Sequence, residues 1–194
     1  MQTKNSEDKP TWETLLTAIP ALKAEDGTRE GLIETPQRFL RYWNEILAGY
    51  EQDPAKILSK KFEIDPVETA APRQSLQLIR DIHFSSMCEH HLALMQGTID
   101  IAYWAQDTVI GLSKFARLVD CFALRLQIQE RLTSQIAEAI WTHTKPRGVF
   151  VRCRAQHGCC TGRGVKRQSM DFVTTTALGE INWTELGLTL DMKD

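Results

Sequence analysis

The apolar positions of this chain keep a helical period at first, alternate through the middle, and then run through both textures again. Thr11 can cap a helix whose apolar positions Trp12, Leu15, Leu16 and Ile19 hold helical spacing until Pro20 interrupts them. The stretch ETPQRFLRYWNEILAGY predicts a second helix, with Thr35 as N-cap and Pro36 at the first helical position. Phe39, Trp43, Ile46 and Leu47 share its apolar face, and Gly49 supplies the stop. Residues 1–10 read as a disordered N-terminus, and residues 63–75, with two prolines and no period, as a connector.

Alternation begins at LQLIRDIHF (76–84) and resumes at GTIDIAYW (97–104), where Ile99, Ile101 and Tyr103 fall on one face. Helical spacing returns from Ser113 to Leu124 through Phe115, Leu118, Val119 and Phe122. It recurs from Leu126 to His143 through Ile128, Leu132, Ile136 and Ile140. GVFVRCRAQHGCC goes back to period two, with Val149, Val151, Cys153 and Ala155 on one side, and a last strand is expected over Asp171 to Ala177. This order predicts an α+β fold: an antiparallel sheet with helices on one face over residues 63–194, preceded by N-terminal helices over residues 11–62.

Composition narrows the function classes. The chain has 194 residues, and 23 basic against 25 acidic side chains give a net charge of −2, against a nucleic-acid partner and compatible with a local pocket for a small anion. No apolar run reaches the roughly 18 residues that span a bilayer, and the polar start MQTKNSEDKP has no signal-peptide core, so no membrane association and a cytoplasmic location are expected. In a reducing compartment the five cysteines are unlike a disulfide framework, and those near histidines are read first as metal ligands.

Two such groups stand out. SSMCEHHLALMQG places Cys88, Glu89, His90 and His91 in one run, and Cys88 with His91 makes a C-x2-H pair short enough to aim both at one ion. If the alternation of the later strand continues, His157 and Cys159 face a common side and Cys160 the other, which favours Cys159 as the ligand. Cys88, His91 and Cys159 would then hold zinc with a fourth position open, as catalytic rather than structural sites do, leaving His90 and His157 beside the metal as proton carriers. The bland alternative makes the cysteines small core residues and the histidines backbone-bonded. It explains each residue separately but not their convergence.

A second set is cationic. Ser113, Lys114 and Arg117 lie at the start of a predicted helix, where backbone N–H groups favour an anion. Arg163 sits between Gly162 and Gly164, and Arg38 near the start of an earlier helix. Taken singly, each is more often a solvated surface cation. Glu130 projects roughly opposite the apolar stripe of its own helix. A solvated carboxylate is the default there; the sharper reading offers it across a subunit interface to a ligand with adjacent N–H donors, such as the edge of guanine.

These residues carry a resemblance. SMCEHHL, VIGLSKFARLVD, RLQIQERLTSQIAEAI and QHGCCTGRGV, with REGLIETPQRF and LIRDIHF in the same order, resemble the signature blocks of the zinc-dependent GTP cyclohydrolase I family from about residue 28 to residue 179. The resemblance implies zinc on Cys88, His91 and Cys159, catalytic histidines at His90 and His157, and a guanine-binding carboxylate at Glu130. It implies a serine near the ribose and phosphates at Ser113, and triphosphate-binding cations at Lys114, Arg117, Arg163 and Arg38. It further implies the tunnelling fold, a homodecamer of two face-to-face pentamers with active sites between subunits, and conversion of GTP to 7,8-dihydroneopterin triphosphate and formate, a step shared by folate, biopterin and deazaguanine routes.

The chain departs from the family's pattern at Leu92-Ala93-Leu94-Met95, at Cys160-Thr161-Gly162, and after Gly179, where no charged closing helix is recognisable. Two rivals are a structural zinc module, which would need four closed ligands, and a non-catalytic guanine-nucleotide-binding protein on the same fold, which would lack a histidine or a ligand. All five of those metal-site residues are present.

Overall fold

The computed structural model describes residues 11–63 and 76–190. The expected disorder of residues 1–10 and nearly all of the expected connector lie outside the described residues. The chain divides into two compact units, Met1–Leu47 and Ala48–Asp194.

Among the described residues the first unit holds the α-helices α1 (Trp12–Ala18), α2 (Glu30–Ile33) and α3 (Thr35–Ile46), with a 3-10 turn over Pro20–Ala24. Thr11 caps α1 as its side chain predicts, accepting from the Thr14 N–H. Thr35 does not act as the N-cap expected of it. With α2 running directly into α3, it is already helical, and its hydroxyl donates back to the Gly31 carbonyl. Nor is Gly49 a helix stop, because α3 closes at Leu47. Gly49 belongs to the second unit, where its N–H donates to the Leu124 carbonyl and a Cβ would run into the Cys121 and Leu124 backbone.

The second unit runs α4 (Pro54–Ile57), β1 (Lys61–Glu63), β2 (Leu76–Cys88), β3 (Ala93–Trp104), β4 (Thr108–Ile110), α5 (Ser113–Ala123), β5 (Leu126–Gln127), α6 (Gln129–Thr144), β6 (Gly148–His157), α7 (Gly158–Thr161), β7 (Phe172–Gly179) and α8 (Trp183–Leu190). The short strands β1 and β4 pair with each other; the main sheet has the order β5-β2-β3-β6-β7, antiparallel except where β5 meets β2. Both early strands are longer than their alternation suggested. Cys88 pairs with Ala93, so the residues between them form the tip of a β2–β3 hairpin.

Helices α5 and α6 cover one face of the sheet. Phe115, Leu118, Leu132, Ile136 and Ile140 pack there on Ile99, Ile101, Tyr103 and the predicted Val149, Val151, Cys153 and Ala155 side of β6. The Cys153 thiol is a plain core group, pushed up to about 12 by burial. The opposite face carries a smaller cluster, Ala102, Trp104 and Phe150 with Leu186 of α8, tied by the Trp104 indole N–H donating to Glu185 at 3.0 Å. A closing helix is therefore present after Gly179, held by apolar packing rather than by a run of charge.

Gly97 lies in β3 between β2 and β6, where a Cβ would meet the Arg154 carbonyl and Ala155. Gly97→Ala is expected to cost about 1–3 kcal/mol by overpacking. Gly31→Ala, which meets nothing within 4 Å, should be neutral or slightly stabilising. Urea unfolding of the two variants checks the pair.

Candidate active site

The site forms where two chain reversals meet. Cys88 ends β2, and the turn through Glu89, His90 and His91 closes with the Leu92 N–H on the Cys88 carbonyl at 2.9 Å. Leu92 takes φ 50° to make that reversal. On the other side of β3, Met95 pairs with His157, so the end of β6 lies beside the hairpin tip. The expected alternation of β6 stops there. Residues Gly158–Thr161 turn helically because Gly162 and Thr161 bond back to the carbonyls of Gly158 and His157. Cys159 thus reaches the site by a helical turn, not by strand alternation.

The donor atoms of Cys88, His91 and Cys159 all lie within 4.8 Å of one another, with the Cys88 Sγ 3.9 Å from His91 Nδ1. Cys88 is buried, Cys159 half-buried and His91 exposed. This is the one such group among the described residues. The Cys160 Sγ is 3.8 Å from that of Cys159, outside the group. Burial first, and then the neighbouring thiols of Cys160 and Cys88, push the Cys159 thiol up to about 11, so it keeps its proton at neutral pH unless a cation replaces it.

A cavity of about 290 Å³ opens on this cluster. Its wall includes His90, His157, Glu130, Cys160 and Phe172 besides the three donors. The link from α5 to α6 explains how Glu130 comes to be there. Residues Leu126 and Gln127 pair in parallel with Met87 and Cys88, and the Gln127 carbonyl accepts from the Glu89 N–H at 3.0 Å. Helix α6 therefore starts beside the hairpin tip, and its first three residues, about 100° apart around the axis, engage three different parts of the site. Gln129 is fully buried and bonds His157 Nε2 at 2.9 Å. Glu130 is exposed into the cavity. Arg131 pairs with the Glu89 carboxylate, tying the histidine-bearing turn to the helix.

Burial holds His157 below the usual imidazole range, opposed by the negative charge of Glu130. The Phe172 ring meets its edge at a centroid distance of 5.9 Å. His90 stands at the rim, two-thirds exposed at 65%, with its Nε2 3.9 Å from the Glu89 carboxylate.

Within the second unit, Ser113, Lys114, Arg117 and Arg163 do not line this cavity. Ser113, Lys114 and Arg117 occupy the start of α5, whose flanking Leu112 and Phe115 line a separate small cavity with Gln77, Leu78 and Ile79. Ile79 lies nine residues from Cys88 along β2, whose pairing with β3 shifts register between Ile79 and Ile82. Arg163 is exposed on the turn after α7, outside the cavity wall. Arg38 is exposed on α3 in the first unit, paired with Glu34 at 2.9 Å and donating to the Gly31 carbonyl.

The chain as a whole is similar to known proteins. The model of the family described as GTP cyclohydrolase I matches residues 11–186. The chain belongs to the GTP cyclohydrolase I family. A GTP cyclohydrolase 1 of Janthinobacterium sp. (strain Marseille) is 45% identical over 91% of this chain and 84% of its own length. Those of Brucella anthropi and Rickettsia felis are 42% and 43% identical, over 89% and 83% of this chain and 80% and 84% of their own lengths. The α+β sheet with its covering helices is the tunnelling fold of this family. Among the described residues no helix is long and apolar enough to cross a membrane.

Gln129 and Arg131 are not singled out by the sequence, and Glu89 stands out there only as a member of the run with Cys88, His90 and His91. Gln129 carried a signal nonetheless, being a polar residue on the same helix face as Leu132, Ile136 and Ile140.

Proposed function

We propose that this chain is a GTP cyclohydrolase I that hydrolyses GTP to 7,8-dihydroneopterin triphosphate and formate with zinc held by Cys88, His91 and Cys159. The observation that carries the reading is the single cavity onto which the three donors, His90, His157 and Glu130 all open. Two sulfurs and an imidazole suit zinc. The three donor atoms, all within 4.8 Å of one another, are close enough together that they would hold one such ion. Bound there, the ion supplies the Lewis acidity that lets a water ionise near neutral pH.

The protein's own groups do the rest. The Glu130 carboxylate accepts from the adjacent N–H donors on the guanine edge and so sets the base in the cavity. His90 gives a proton to the ring nitrogen that departs as the bond to C8 breaks, and a second hydrolysis releases C8 as formate. His157 and Ser113 move protons at the ribose as it opens, rearranges and closes on the exposed amines. Lys114, Arg117, Arg163 and Arg38 neutralise the triphosphate, so that binding far from the reacting atoms supplies orientation.

Ser113, Lys114 and Arg117 stand at the start of α5 and line no part of the cavity onto which Cys88 opens in the same chain. The reading therefore takes Ser113, Lys114 and Arg117 from a neighbouring copy, with active sites between the subunits of a homodecamer of two pentamers. It places the protein in the cytoplasm, where free thiols such as Cys159 and Cys160 stay reduced.

His90→Ala and His157→Ala test the division of labour. Both should retain zinc. The first should release little formate; the second should open the ring yet form no pterin. Loss of zinc in either, or arrest of both at one intermediate, would contradict the assignment.

A further inference from the structure

We infer that Gln129 is a positioning residue that fixes which ring nitrogen of His157 exchanges the proton, by holding the imidazole as its Nε2–H tautomer. The inference rests on the catalytic reading of His157 but not on the identity of the substrate.

The argument is one of hydrogen-bond accounting. The Gln129 side chain is fully buried at 0% exposure, so its amide must be satisfied inside the protein. Its Nε2 lies 3.1 Å from the Cys153 carbonyl oxygen and 2.8 Å from that of Phe172, with Thr174 Oγ1 at 3.2 Å. Main-chain carbonyls only accept, so the NH₂ end of the amide belongs against them. Turning the amide over would set its oxygen against two carbonyl oxygens, acceptor on acceptor, with no hydrogen between them. The orientation is therefore fixed by β6 and β7, which carry those carbonyls, and Gln129 Oε1 is the atom 2.9 Å from His157 Nε2.

An amide oxygen can only accept, so His157 Nε2 must carry the hydrogen. A neutral imidazole has one N–H, which leaves the lone pair on Nδ1. Nδ1 is thus the ring nitrogen left with a lone pair to accept a proton, while Nε2–H stays anchored on Gln129. The Phe172 ring at the edge of the imidazole limits its rotation and helps hold that orientation. Gln129 is not one of the clustered metal donors, although it lines the same cavity, and its side-chain hydrogen bond to a site residue is the one to His157.

Solid-state ¹⁵N NMR of the zinc-loaded full chain with labelled histidine tests this at any assembly size, with His157 assigned from the spectrum lost in His157→Gln. The expected result is a protonated Nε2 and an unprotonated Nδ1 in the neutral ring. A predominant Nδ1–H form in the unaltered protein would overturn the inference without any variant being needed. Gln129→Met, which keeps the volume and removes the acceptor, should give a mixture of the two tautomers. With GTP, its kcat should fall at least about tenfold while KM stays near that of the unaltered protein, and formate release should continue without matching pterin formation. An unchanged tautomer and unchanged kcat in Gln129→Met would equally overturn it. If the unaltered protein shows the Nε2–H form but no turnover of GTP, the reading of the substrate fails and the positioning role stands.

Discussion

Cys88→Ser, His91→Ala and Cys159→Ala will each remove the metal and the activity together, whereas Cys160→Ser will keep both. Three ligands with one open position leave no spare donor. Loss of any one should therefore exceed the roughly 10–100-fold that an outer partner of a metal ligand costs. Cys160 is the internal control. It has the same chemistry as Cys159, lies 3.8 Å from it, and stands outside the donor group. The metal content of the purified variants reads the outcome directly, and loss of zinc in Cys160→Ser with retention in Cys159→Ala would reverse the assignment. Acidity supplies a second readout. The Cys159 thiol, raised to about 11, must give up its proton to bind an ion. Zinc loading should release protons, and affinity should fall as the pH falls, since protons then compete for the sulfur. A pH-independent affinity would point to ligands other than thiols.

Glu130→Gln will weaken GTP binding by at least about tenfold. The substitution keeps the shape but puts a donor where the guanine edge presents donors, leaving buried groups unpaired at a cost of about 1–3 kcal/mol, and more where a charge is lost. ATP, whose base edge differs, should remain a poor ligand of both proteins. A solvated helix carboxylate predicts instead a change within about 0.5 kcal/mol. Calorimetry on the zinc-loaded variant, with its assembly checked by light scattering, separates the two, and unchanged GTP affinity in an intact oligomer would remove guanine recognition from Glu130.

Much of this site could be read in the chain because its chemistry is local in sequence. Cys88 and His91 share one turn, His157 and Cys159 another, and the alternation of Val149, Val151, Cys153 and Ala155 is that of the buried β6 face. What joins the two turns is strand register, the pairing of Met95 with His157, which no local period encodes. The same limit applies to Glu130. Its helical phase was legible, but its place beside Cys88 depends on β5 docking along the end of β2 over only two residues. The helical turn at Gly158–Thr161 escaped the period because a four-residue turn is too short to show one. Thr35 and Gly49 misled for a related reason. Their local signals are those of helix ends, while neighbouring segments, α2 in one case and the end of α5 in the other, decide what each residue does.

Incubation of the purified, zinc-loaded protein with GTP, followed by assay for formate and for a fluorescent pterin after oxidation, tests the central claim most directly. The account predicts both products in equal amounts, with neither formed after zinc is removed and both restored when it is returned. Binding of GTP with neither product from the zinc-loaded oligomer would contradict it and leave a guanine-nucleotide-binding protein on the same fold.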